Sequence, residues 1–194
     1  MCSSDLPKKL GADLSKALNK EVCALADAGC IYIQVDEPVF ARKPNEALAY
    51  GFEDLERTFY GLPSEVTRVV HMCCGYPNSL DSEGYKKADK DSYLQIADVI
   101  EDSSVKEVSF EDAHRHNELS LLEKFSKTKI ILGVVDIAKS RLETIDEVRD
   151  RLSAALEHID KERLIVAPDC GLGFFNREQA VAKMEVISEA ARSL

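Results

Sequence analysis

At 194 residues, 45% of them apolar and 31% charged, the chain is long enough for one domain with a buried core and too apolar to be mostly disordered. Lys and Arg total 25 against 35 Asp and Glu, a net charge of −10, which argues against nucleic acid or an anionic membrane as main partner because both attract positive charge. No apolar run reaches the roughly 18 residues of a membrane span, no signal segment opens the chain, and six cysteines are too sparse for a disulfide scaffold, so they read as thiols or metal ligands in a reducing, cytoplasmic compartment.

The first six residues, Met1-Cys2-Ser3-Ser4-Asp5-Leu6, read as non-native sequence ahead of a chain whose natural form continues upstream. A helix is predicted over 8–28, with Leu14, Leu18, Val22 and Leu25 on its core face and Gly29 as its stop. Residues 30–36 form a β-rich run closed by Glu37-Pro38. Further strands are predicted at 67–73, 105–111, 129–136 and 163–169, the last ended by Pro168. Helices fall between and after them, at about 45–60, 90–101, 116–126, 143–158 and 177–192. The fourth of these opens on Thr144-Ile145-Asp146-Glu147, a capping box, and directs Ile145, Val148, Leu152 and Leu156 to the core.

Strands that are apolar along most of their length, alternating with helices, mean a parallel sheet covered by helices. Length favours an open sheet, because a closed eight-stranded barrel takes about 250 residues. The strand endings favour the barrel. They carry Asp36, His71 with Cys73, Glu111, Asp136, and Asp169 with Cys170, and only a barrel brings every C-terminal strand end to one mouth. The expected fold is therefore α/β: a single domain, 1–194, forming an incomplete (β/α)8 TIM barrel of about the last five βα units. The strands near 30–36 and 163–169 would then be unpaired edges, which invite aggregation.

His71-Met72-Cys73 sets two metal-binding side chains at i and i+2, on the same face of a strand. With Glu111 ending the next strand and Cys170 following the last, the donor set is imidazole, two thiolates and a carboxylate, which suits zinc. Ligands drawn from separate strands fit a barrel mouth better than a zinc finger. So sulfur-rich a site suits activation of a substrate thiol rather than a water.

Gln34-Val35-Asp36-Glu37-Pro38, His71-Met72-Cys73, the Glu111 strand end, Gly133-Val134-Val135-Asp136-Ile137 and Pro168-Asp169-Cys170-Gly171-Leu172 occur in that order. Together, from about residue 20 to the end, the chain resembles the C-terminal barrel of cobalamin-independent methionine synthase, and more closely that family's short, single-barrel members. The resemblance implies a zinc enzyme that moves a methyl group from a reduced folate to the thiol of homocysteine, with small-molecule substrates and no nucleic acid or membrane partner. It implies His71, Cys73, Glu111 and Cys170 as the Zn2+ ligands, and Asp36 as the carboxylate that holds the amino group of homocysteine. Glu37 either binds substrate or caps its strand end.

Three departures stand against that pattern. Long members carry a proton-donating histidine where this chain has Ala138. They carry a folate-contacting glutamate where this chain has Arg42. The first three barrel strands, with further substrate contacts, have no counterpart here. The first two bear on folate, so a methylcorrinoid donor, another thiol such as coenzyme M, or an inactive fragment that keeps its zinc site are the alternatives.

The remaining chemistry-bearing residues receive plainer readings. Cys74 points to the opposite strand face and packs, and Cys23 and Cys30 are core. His114 and His116 follow the Glu111 strand and could reach the mouth as acids, but a solvated loop is the expectation. His158 is a surface residue. Asp136 either orients substrate or makes a structural hydrogen bond. Gly171-Leu172-Gly173 lacks a full phosphate-binding fingerprint. Lys86, Lys87 and Lys90 could meet a polyglutamate tail, although such runs are usually solvated.

Overall fold

The computed structural model describes residues 6–82 and 84–194. The reading of 1–6 as non-native therefore falls, except for Leu6, outside the described residues. Helix α1 (Leu6–Asp27) leads into β1 (Tyr32–Asp36). A short α2 (Pro44–Glu46), a π-helical turn (Ala47–Gly51) and α3 (Phe52–Phe59) then run together before β2 (Thr67–Met72). Next come α4 (Ser92–Asp102), β3 (Glu107–Glu111), a 3-10 helix (Leu119–Lys124) and β4 (Lys129–Val135). The described chain ends with α5 (Ile145–Ala155), β5 (Leu164–Pro168) and α6 (Arg177–Arg192). Among the described residues no helix is long and apolar enough to cross a membrane.

The five strands form one parallel sheet in the order β1-β2-β3-β4-β5. The order follows the chain without reversal, so the sheet has no switch point of the doubly wound kind. Among the described residues β1 and β5 are its edges, as expected.

Strand alternation divides the side chains between two faces. Val70, Met72, Val108, Phe110, Ile130 and Leu132 are all nearly inaccessible and belong to the apolar core between sheet and helices. The opposite face carries Asp36, His71, Ser109 and Glu111, and register places Asp36 beside His71 and His71 beside Ser109. Parallel strands all end at the same side, so the polar strand ends share one rim.

Local sequence explains the helix that follows β4. Thr144 Oγ1 accepts from Glu147 N–H, and the Glu147 carboxylate accepts from Thr144 N–H at 2.7 Å, the capping box expected there. Two expectations are corrected. The segment 116–126 forms only the short 3-10 helix, because Asn117 is already held by Asp112 and by the Glu111 carbonyl. In α1 only Val22 of the expected core face is buried, while Leu14, Leu18 and Leu25 are each about half exposed. The helix packs on α3 through another side, where Asn19 donates to the carbonyls of Thr58 and Tyr60 and Gly11 lets Asp54 approach. Among the described residues nothing covers the leucine stripe.

Candidate metal centre

His71, Cys73, Glu111 and Cys170 come together at the rim, with their donor atoms all within 4.8 Å of one another. Strand β2 supplies His71, and Cys73 is the first residue past its end. β3 ends on Glu111, and Cys170 lies two residues beyond β5. The His71 Nδ1 and Ser109 Oγ are 2.9 Å apart, which turns Nε2 toward the cluster. That Nε2 is 3.2 Å from Cys170 Sγ and 4.0 Å from Glu111 Oε1.

The electrostatics are those of a site short of positive charge. Burial, together with the nearby Cys73 and Asp169, pushes the Glu111 carboxyl up to about 9. The hydrogen bond with the Cys170 thiol, and then burial, push Cys73 up to about 12, while the same bond lowers Cys170. Glu111 is 1% exposed and its Oε1 is buried without a hydrogen-bond partner. Such an atom costs stability unless something fills its coordination.

A tetrahedral zinc with ordinary Zn–S, Zn–N and Zn–O lengths needs donor separations of about 3.4–3.8 Å, and the observed 3.2 and 4.0 Å straddle that range. Two sulfurs, an imidazole nitrogen and one carboxylate oxygen are the donor types zinc prefers. The residues present therefore fit a zinc ion.

A second arrangement braces this one. Asp169, fully buried, accepts the backbone N–H groups of Asp112 (2.8 Å), Ala113 (2.8 Å) and His114 (2.9 Å), and also lies 2.8 Å from His114 Nδ1. Gly133 makes room for it, since a Cβ there would stand 2.5 Å from Asp169 Oδ1. The Tyr93 hydroxyl donates to the Met72 carbonyl and accepts from the Glu111 N–H and the Cys74 thiol. Tyr76 donates to the Gly171 carbonyl and tethers the loop after β2 to the loop after β5.

The other predicted residues divide. Asp36 lies on the same sheet face as His71, exposed at the rim, with Oδ1 accepting from Gln34 at 2.7 Å. Glu37 is not brought into the cluster. Its carboxylate accepts from Val39 N–H and lines a groove of about 290 Å³ beside Leu14, Leu18, Phe40 and Tyr50, where burial raises its pKa. Asp136 makes a structural bond, accepting from Ala138 N–H at 2.7 Å.

His114 departs from the solvated-loop expectation, since its side chain is only 2% exposed, whereas His116 is 65% exposed. His158 pairs with Glu123 at 2.6 Å near the surface. Cys74 packs inward as expected, but Cys23 and Cys30 are only partly buried at the core's edge. The turn at 171–173 offers no helix start for a phosphate, because α6 begins later and its N-terminus is capped by Asn176 and Gln179. Lys90 pairs with Glu118 in solvent, and Lys87 lies over the Tyr85 ring.

Sequence reasoning missed Ser109, Tyr93, and the bond from Arg151 to the fully buried Asp112 (2.6 Å). Ser109 had a signal, because it sits two residues before Glu111 on the same strand face. Tyr93 and Arg151 had none, because their partners lie 18 to 39 residues away in sequence.

Fold and site together define a parallel α/β protein with a candidate thiolate-rich metal centre at its strand ends. Residues 4–193 match the family described as cobalamin-independent synthase, catalytic domain, and the chain belongs to that family. It is 32% identical over 181 residues to a methionine synthase of Pyrococcus abyssi, covering 93% of this chain and 48% of that protein. It is also 32% identical over 178 residues to one of Thermococcus kodakarensis, covering 91% and 47%. The fold is similar to a B12-independent methionine synthase from Shewanella sp. W3-18-1, solved in complex with selenomethionine. That match has a TM-score of 0.84 and 30% identity, over 96% of this chain and 55% of that one. The chain thus spans about half the length of the curated relatives it matches.

Proposed function

We propose that the chain forms the zinc-bearing part of an enzyme that moves a methyl group from 5-methyltetrahydrofolate to the thiol of homocysteine, giving methionine. The observation that carries this reading is the convergence of His71, Cys73, Glu111 and Cys170, with Glu111 Oε1 left unpaired inside it. The family membership supports the same chemistry.

Zinc held by these four residues supplies the positive charge that lets a thiol lose its proton near neutral pH. Ser109 Oγ, 2.9 Å from His71 Nδ1, would hold the ring with Nε2 toward the metal when its hydroxyl accepts from Nδ1–H. Asp36 is one strand over and in register with His71, which supports its reading as the carboxylate that would hold the amino group of homocysteine. The thiolate sulfur bonds to the methyl carbon as the bond to the folate nitrogen breaks, and that nitrogen needs a proton because a tertiary amine leaves poorly. Ala138 is buried and supplies none, which favours a methylcorrinoid donor as the second reading.

The same proposal covers the architecture. Five consecutive parallel strands, two unpaired edges and an uncovered leucine stripe on α1 support an incomplete eight-stranded barrel.

Elemental analysis of the purified chain beside Cys73→Ser and Cys170→Ser tests the site. About one zinc per chain, lost in both variants, is the expected result. Zinc retained in both variants, or absent from well-folded parent protein, would sink it. Methyl-transfer assays pairing methyl-folate or a methylcorrinoid with homocysteine or coenzyme M then separate the donors and acceptors.

A further inference from the structure

The two oxygens of Glu111 have different surroundings. Oε1 has no hydrogen-bond partner and stands 4.0 Å from His71 Nε2, on the side of the cluster. Oε2 is 3.3 Å from the Nδ1 of His114. That nitrogen is also 2.8 Å from Asp169 Oδ2. The Nδ1–H donates to Asp169, and that bond holds the ring in place against Glu111 Oε2. Asp169 is itself held from several sides, with three backbone N–H groups of the loop after β3 donating to it and Gly133 packed beneath it. It is also the chain neighbour of Cys170, so it joins the strand end that carries one ligand to the loop that carries another.

We propose that His114 is a positioning residue for the metal centre: its ring, anchored on Asp169 through Nδ1–H and standing 3.3 Å from Glu111 Oε2, fixes the rotation of the Glu111 carboxylate so that Oε1 points at the metal. The proposal rests on the zinc reading above. A carboxylate held in one rotamer loses less freedom on coordination than one that must be ordered by the ion. Groups that orient a ligand in this way commonly contribute 10–100-fold to metal affinity. His114 touches neither substrate nor the other three ligands in this scheme.

The test compares His114→Leu with His114→Asn in the full 194-residue chain. The two replacements have nearly the same shape, but only Asn keeps a donor close to where Nδ1 stood. Zinc affinity is measured by competition with a chelator, cobalt(II) absorption reports the ligand set, and melting of the metal-free protein reports the fold. The expected result is a loss of about 10–100-fold in zinc affinity for His114→Leu, with weakened cobalt bands. His114→Asn should return to within about 3-fold of the parent, and the two metal-free variants should melt together. Affinity of His114→Leu within about 2-fold of the parent would overturn the proposal, and so would equal losses in both variants. If the parent binds zinc, Cys73→Ser abolishes it and His114→Leu changes nothing, then only the His114 role fails. A parent that binds no zinc overturns the metal reading itself, and this inference with it.

Discussion

Glu111 is the residue where the proposed metal site and folding stability oppose each other. Its carboxyl is buried against Cys73 and Asp169, and its pKa in the folded metal-free protein rises to about 9 from an ordinary 4.5. Below the ordinary value both folded and unfolded chains carry the proton, and burial of the neutral acid costs little. Between the ordinary and the folded values the unfolded chain releases the proton while the folded chain keeps it, so folding stability declines as pH rises through that window. Glu111→Gln removes the titrating group. The metal-free variant is expected to melt at least about 2 °C higher than the parent at pH 8, with a shallower decline between pH 5 and 8, and to bind zinc more weakly. Melting curves across that range would decide the matter, and an unchanged pH slope would refute it.

At the scale of elements, the site depends on how closely three strand ends approach. Gly133 on β4 pairs with Glu111 on β3 and with Ala167 on β5, so the chain there is flanked on both sides. A Cβ at Gly133 would meet Asp169 Oδ1 at 2.5 Å and Asp169 Cα at 2.6 Å, and a backbone atom cannot swing aside as a side-chain tip can. Gly133→Ala is therefore expected to destabilise the chain by about 1–3 kcal/mol, as overpacking does. Because Asp169 would be displaced with its neighbour Cys170, zinc affinity should fall too. Gly171→Ala has open space for its Cβ and serves as the control. Equal zinc affinity in the Gly133→Ala variant and the parent would show that the bracing is not needed.

The capping box at Thr144 and the alternation of β2 and β3 were legible in sequence because both are local: each depends on residues two to four apart. The helix expected at 116–126 was not, because Asn117 is committed to partners on the other side of its own loop. The leucine period of α1 announced a buried face, but the structure leaves Leu14, Leu18 and Leu25 about half exposed and buries only Val22 of that set.

For the whole molecule, that uncovered face is the main feature still to be accounted for. Leu10, Leu14, Leu18 and Leu25 lie exposed along α1, beside an edge strand whose Tyr32 is exposed as well. Apolar stripes and open edges of this kind drive association. Sedimentation is expected to show concentration-dependent self-association of the chain, weakened in a Leu14→Lys, Leu18→Lys double variant whose melting temperature stays within about 2 °C of the parent, since neither side chain is buried. A parent that stays monomeric at every concentration would contradict this and weaken the incomplete-barrel reading.

What the sequence determined by itself was the alternation of strands and helices, the residue types at each strand end, and the shared face of His71 and Cys73. These follow from periods of 2 and 3.6 that act over a few residues. The tertiary structure alone decided which strand-end carboxylates meet. Glu111 joins the cluster and Glu37 turns into a groove, because successive side chains on an extended chain point opposite ways and only the assembled sheet says which way is inward. It also buried His114, set Ser109 against His71 and left the α1 stripe bare. Those outcomes depend on groups up to 99 residues apart in the chain, whose distances are set by strand register and packing rather than by any local pattern.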